Sequence, residues 1–364
     1  MKLNEITSYI ESFAPIALQE DYDNSGLIVG DPNYEVTGII LTVDILEDVL
    51  EEAIQKKVNL IIAHHPIVFS GLKKLTGKNY VERIIIKAIK NDIAIYACHT
   101  NLDSVWGGVN TKIADKLNLK NQKILSPVSN YLYKLVYFVP INNAEETRKA
   151  VFDVGAGQIG DYDLVSYNLQ GEGTFRAGDN AKPFVGEHGK MHVEKETRIE
   201  IVFPKHLKNK IINALIHSHP YEEVAYDIYS LENTYDRAGL GIVGELEEGV
   251  REIDFLKLLK KNFLADCVRH TKLLNKPIKK VAVCGGSGSF LLKNAIWANA
   301  DVFVSGDFKY HQFFDADGKI LIADIGHFET EQITKELFYE LLTKKFPKFA
   351  IHLTEINSNP INYL

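Results

Sequence analysis

Short β-branched runs alternate with amphipathic helical stretches through the first 127 residues, and this rhythm constrains the fold more than any other feature. Residues 37–43 (TGIILTV) read as a strand and 46–57 as a helix. Residues 59–63 read as strand, 80–91 as helix, 93–97 as strand and 108–117 as helix. Parallel strands need a crossover, usually helical, so strict alternation predicts an open, mostly parallel α/β sheet covered by helices. In such sheets ligands gather beyond the carboxyl ends of the strands. Three segments end there in groups able to bind a metal: NLIIAHHPIVF, IAIYACHTNLD and KILIADIGHFETE.

The first of these carries His64 and His65. Adjacent residues of a regular strand point to opposite faces, so both imidazoles reach one site only if the strand stops there. Pro66 supplies the stop, because it restricts His65 and cannot extend the hydrogen-bond ladder. His327 and Glu331 are four apart at the start of a helical pattern, which puts them on one face; Glu329 does not return to that face. In the middle segment the ligand choice lies between His99 and Asp103. Asp103 lies deeper in the loop, where a carboxylate could bridge two cations, and His99 is then a partner that orients it or shuttles protons. A competing reading has Asp103 capping the helix that follows WGG. His64, His65, Asp103, His327 and Glu331 together exceed what one cation needs and match a pair of divalent ions. The all-N/O donor set suits zinc, iron, manganese or nickel.

Two further segments lie at predicted strand ends. CGGSGS, with Gly285 to Gly288, either offers backbone amides to a phosphate or makes a tight turn near the metals. It matches neither the P-loop nor the dinucleotide-binding fingerprint. SGDFKYHQ brings Asp307, Lys309, Tyr310 and His311 toward the same rim, where Lys309 or His311 can serve as proton donor or stand as solvated surface residues.

A different order occupies residues 128–233: strand 133–140, helix 143–153, a strand near 162–169, strand 197–204, helix 206–217 and strand 224–231. This β-α-β-β-α-β sequence is that of a ferredoxin-like α+β unit. The glycine-rich stretch GEGTFRAGDNAKPFVGEHGK is expected to be the long loop joining its halves. Its HSHPYEEVAYD segment reads as local structure or an oligomer contact. The α/β rhythm then resumes, so the predicted architecture is a discontinuous metal-binding domain, 1–127 with 234–364, interrupted by the insert, with ligands from both halves meeting across one completed sheet.

Composition narrows the partners. Hydrophobic residues make up 46% and charged residues 24%, an ordinary globular mix. A formal net charge of -7 argues against nucleic acid. No apolar run is long enough to cross a bilayer. The three cysteines have no C-x-x-C spacing and fit free thiols in a reducing cytoplasm, the expected location.

The segments YDNSGLIVG (22–30), AHHPIVF (63–69), HTNLD (99–103), GGSG (285–288), DVFVSGDFKYH (301–311) and IGHFETE (325–331) together resemble the GTP cyclohydrolase 1 type 2 homologue family, also called Nif-three-like. The likeness covers essentially the whole chain. It implies a dinuclear metal site on the five residues named above and a homohexamer, a trimer of dimers, around an internal cavity. It also implies that the insert, through HPYEEVAYD (219–227), is a PII-like or CutA-like domain. Two functions follow as expectations. One is a metal-dependent hydrolase acting on a nucleotide-like small molecule. The other is a non-catalytic metal- or effector-binding regulator that senses its ligand through the insert.

Overall fold

In a computed structural model that describes residues 1–364, the chain divides into two units, residues 1–127 with 237–364, and residues 128–236. The larger unit holds two sheets rather than one completed sheet. The first has the order Gly26–Val29, Ala94–Ala97, Leu60–Ala63, Ile39–Thr42 and Ile351–Leu353. Its last four strands are mutually parallel, and the edge strand Gly26–Val29 runs antiparallel. The second has the order Arg269–His270, Leu321–Asp324, Val302–Gly306, Pro277–Ser287, Tyr235–Arg251 and Lys120–Val128, with a parallel centre between Pro277 and Asp324. Each half of the chain thus builds most of its own sheet. They exchange one strand each: Ile351–Leu353 joins the first sheet and Lys120–Val128 the second.

The two sheets share one core. Leu41, Leu60, Ile62 and Tyr96 from the first cluster with Val281, Val283, Val302, Val304 and Leu321 from the second. The helices Leu3–Phe13, Val109–Lys116 and Thr334–Lys345 contribute Ile6, Ile113 and Phe338 to that same core. Alternate residues of the strands face outward into two further cores. Ile40, Ile61 and Ile95 meet the helices Glu47–Lys56 and Tyr80–Lys90, and Ala282, Phe303 and Ile322 meet Leu292–Trp297. Burial on both faces explains why these strands read as unbroken apolar runs. Phe338 is fully buried. Its replacement by alanine is expected to lower unfolding stability by about 3–5 kcal/mol, through lost transfer energy and the cavity left behind. Urea denaturation of the purified variant checks this; a change below about 1 kcal/mol would show that the shared core collapses around the gap.

Residues 128–236 form a four-stranded antiparallel sheet of order Tyr167–Arg176, Met191–Pro204, Leu132–Pro140 and Tyr226–Leu231. The helices Ala144–Asp153 and Lys208–Ser218 both pack on one of its faces, around Leu135, Tyr137, Ile199, Ile201 and Phe203. Here the glycine-rich segment departs from the sequence expectation. Its first residues continue the strand Tyr167–Arg176, with Gly171 opposite Glu196 and Gly173 opposite Glu194, and only the remainder is loop. The strand placed near 162–169 therefore lies several residues later, because cross-strand pairing overrides the turn preference of GEG.

Candidate metal centre

The parallel strands of both sheets in the larger unit direct their carboxyl ends at one place. Leu60–Ala63 ends immediately before His64 and His65, whose backbone amides donate in succession to the carbonyls of Thr42 and Val43. Consecutive donations to one neighbour break the alternation of a regular strand. The two imidazoles consequently stand on the same side, with ring centroids 4.9 Å apart. Asp103 sits on the short helix Thr100–Ser104 that follows the strand Ala94–Ala97. His327 and Glu331 are the first and last residues of a single helical turn entered through Gly326, whose φ is +99°. The helical pattern that opens at His327 is thus two pieces, His327–Glu331 and Thr334–Lys345.

Three clusters result: His64, His65 and His99; His65, His327 and Glu331; and His64, Asp103 and Glu331. Within each, the donor atoms lie within 4.8 Å of one another. His65 Nε2 and His327 Nε2 each approach Glu331 Oε2 to 2.9 Å, while His64 Nε2 is 3.6 Å from Glu331 Oε1 and 3.7 Å from Asp103 Oδ1. His64 Nε2, Asp103 Oδ1 and Glu331 Oε2 are buried and lack any partner in hydrogen-bonding geometry. A native interior rarely tolerates one such atom, and these three together form a group that could hold a cation.

The opposite nitrogen of each imidazole is anchored. Cys98 carbonyl oxygen accepts from His64 Nδ1 at 3.0 Å, Asp44 from His65 Nδ1 at 2.7 Å, Asp23 from His99 Nδ1 at 2.8 Å and Asp307 from His327 Nδ1 at 2.7 Å. A proton fixed on Nδ1 leaves Nε2 free to coordinate, the arrangement that surrounds metal-binding histidines. Charge in the metal-free chain is correspondingly displaced. Burial pulls His64 down to about 4. Burial opposes charge on His65 too, but Asp44 and Glu331 outweigh it and hold the group up at about 10. Asp307 and Glu331 likewise outweigh burial at His327, which stands at about 11. Burial and the neighbouring Glu331 charge push Asp103 well up; at Glu331 the surrounding histidines outweigh burial and hold the carboxyl well down. Cations entering such a cluster displace protons from it.

The structure therefore brings together all five residues named from the spacing. Asp103 caps no helix through its side chain: its backbone carbonyl accepts from Asn110, and the helix Val109–Lys116 starts at Gly108 without a side-chain cap. Glu329 points elsewhere, accepting from Asn359. His99 is oriented by Asp23 and faces His64 and His65; no side-chain bond joins it to Asp103. His311 is exposed, its ring against Tyr310 and Phe314, and belongs to none of the three clusters; its segment contributes Asp307 instead. The amides of Gly285, Gly286 and Gly288 are consumed by Asn110, Thr330 and Ser305, so the glycine turn packs against the cluster and offers no phosphate cradle. Sequence reasoning missed Asp23 and Asp44 as orienting groups. Asp44 lies two residues beyond the strand Ile39–Thr42, a position that could have drawn attention to it.

Replacing Asp44 by asparagine should weaken metal binding about 10–100-fold, because the amide holds the Nδ1 proton of His65 less firmly and lowers ligand basicity. Competition against a chromophoric chelator measures this, and unaltered affinity would show that Asp44 does not orient the ligand.

Fold and site define an α/β protein with a buried histidine–carboxylate cluster, a group that could hold metal, at the strand ends of two sheets. A family model described as Duf34/NIF3 (NGG1p interacting factor 3) matches residues 1–360, and the chain belongs to this family. It is 40% identical to a Bacillus subtilis protein named GTP cyclohydrolase 1 type 2 homolog, over 99% of this chain and 98% of that one. A Staphylococcus epidermidis protein of the same name is 34% identical over the full length of both. Among solved structures, a Bacillus cereus protein related to NIF3 superposes with a TM-score of 0.87 at 37% identity, covering 100% of this chain and 99% of that one. No helix is long and apolar enough to cross a membrane.

Proposed function

We propose that this protein is a dinuclear metal-dependent hydrolase acting on a nucleotide-like substrate. The observation that carries the reading is the set of three buried, unpartnered donor atoms on His64, Asp103 and Glu331, with His65 and His327 completing it. Glu331, common to two clusters, and Asp103 are the carboxylates that would hold the ions together with His64, His65 and His327. Bound divalent cations would supply Lewis acidity, polarising a substrate oxygen and acidifying a water. Zinc, iron, manganese and nickel all suit the donors. Asp44, Asp23 and Asp307 hold the imidazoles in register. His99, half-buried beside His64 and His65, is placed to hold or pass a proton; exposed His311 is not. The nucleotide-like substrate follows the relatives' name, GTP cyclohydrolase 1 type 2 homolog. Assembly into a homohexamer belongs to the same proposal. It would cover the exposed Phe290, Trp297, Tyr310 and Phe314.

The test is metal analysis of protein purified without chelators, followed by assay on GTP, other nucleotides and phosphoesters. About two ions per chain and turnover that is lost in Asp103→Asn are expected. Metal-loaded protein with no turnover on the panel would favour the second reading, a non-catalytic metal- or effector-binding regulator. One observation supports that alternative: residues 128–236 contain a cavity of about 1050 Å³.

A further inference from the structure

The unit 128–236 carries its two helices on one face of the sheet, and the opposite face carries no helix. Register fixes what that face presents: Gly171, Gly173 and Phe175 on one strand, Glu196 and Arg198 on the next, and Phe138 on the third. Over it lies a cavity of about 1050 Å³, roofed by the loop 177–184 and the segment 221–223. The roof is tied together where the backbone amide of Lys182 donates to Glu222 Oε1 at 2.7 Å. Its floor is low because Gly171 and Gly173 have no side chains; a Cβ on Gly171 would meet open space, and one on Gly173 would lie 2.2 Å from Glu196 Oε2.

Glu196 is the polar centre. The residue is buried, and the Tyr221 hydroxyl donates to its Oε1 at 2.9 Å. A carboxylate has about four acceptor sites, so both oxygens keep capacity for a ligand. Tyr221 is itself fixed: His219 Nδ1 accepts from the Tyr221 amide, and His219 Nε2 donates to the Phe138 carbonyl. The HSHPYEE segment therefore serves as a brace for this wall. Phe175 and Phe184 flank the Tyr221 ring at 6.2 and 6.3 Å, and the Arg198 guanidinium lies over the Phe138 ring at 5.9 Å. These are stacking surfaces for a planar ring. The lining carries Arg176, Lys182 and Arg198 beside Glu172, Glu196, Glu222 and Glu223. Arg198 is paired with Glu200, which leaves the Arg176 guanidinium and the Lys182 ammonium to meet an anionic group.

We propose that this cavity is a second ligand site that binds a purine nucleotide whose base presents two adjacent N–H donors, the 2-amino-6-oxo pattern, to the Glu196 carboxylate. The base would lie between the aromatic walls with its phosphate toward Arg176 and Lys182. The site shares no residue with the histidine–carboxylate clusters and does not depend on the hydrolase reading.

Calorimetric titration of the full-length, metal-loaded protein with GMP, IMP and AMP tests this. GMP should bind at least about tenfold tighter than IMP, which lacks the 2-amino donor, and AMP should bind weakest, because its base edge turns an acceptor toward the carboxylate. Glu196→Gln should remove the preference for GMP and weaken it at least about tenfold. Gly173→Ala, which displaces the carboxylate without removing it, should do the same, and circular dichroism checks that both variants fold. Glu331→Gln should leave GMP binding intact. The proposal is overturned if no nucleotide binds saturably at millimolar concentration, if Glu196→Gln binds GMP as the parent does, or if GMP binding is lost with Glu331→Gln. It is equally overturned if Phe184→Asp lowers the assembly size without altering nucleotide affinity, which would make this face an interface between copies.

Discussion

Glu331→Gln is expected to leave a folded protein that no longer retains metal, with affinity lowered by at least about 100-fold. Glu331 belongs to two of the three donor clusters, more than any other carboxylate, and it is almost completely buried. Withdrawing a carboxylate from water carries a penalty of several kcal/mol that only good pairing returns. In the metal-free chain that pairing comes from the His65 and His327 imidazoles, whose Nε2 atoms lie 2.9 Å from Oε2, and bound cations would take their place. Glutamine keeps the shape and removes the charge. Glu329→Gln, two residues away, alters a side chain bonded to Asn359 and should leave metal content unchanged. Elemental analysis after gel filtration compares the two variants, and full metal content in Glu331→Gln would remove Glu331 from the ligand set.

The second large effect is at Gly286. Its φ of +57° lies in the left-handed region, and a Cβ there would stand 2.1 Å from Glu331 Oε1. Gly286→Ala therefore combines two penalties: about 1–2 kcal/mol for a side chain in that conformation, and displacement of the carboxylate. Gly318 separates them, since its φ is +66° but nothing lies within 4 Å of the added carbon. Gly318→Ala should lose about 1 kcal/mol and keep its metal. Gly286→Ala should lose at least about 3 kcal/mol and bind metal poorly. Urea unfolding with elemental analysis of both variants gives the comparison. Equal stability losses in the two would mean that Glu331 moves aside freely.

The pattern of apolar residues largely determined the local structure. Strand runs such as LIIA and AIYA are buried on both faces and could not be mistaken for solvent-facing elements, and the four-residue spacing of His327 and Glu331 chose Glu331 over Glu329. A histidine or acid placed just after such a run is also visible in the chain itself, because the end of a parallel strand is where side chains leave the core.

Pairing between distant segments was decided only by the tertiary structure. One continuous sheet and two sheets that exchange a strand each have the same alternation in sequence; only the pairing of all the strands distinguishes them. The orienting acids were hidden for the same reason. Asp23 meets His99 across 76 positions and Asp44 meets His65 across 21, distances at which local periodicity carries no information. GEG, which reads as a turn, became a strand because Glu196 and its neighbours supplied the ladder partners. Short-range preference is written residue by residue, whereas a site made by converging strand ends exists only after long-range contacts have overcome the entropy of closing the loops between them.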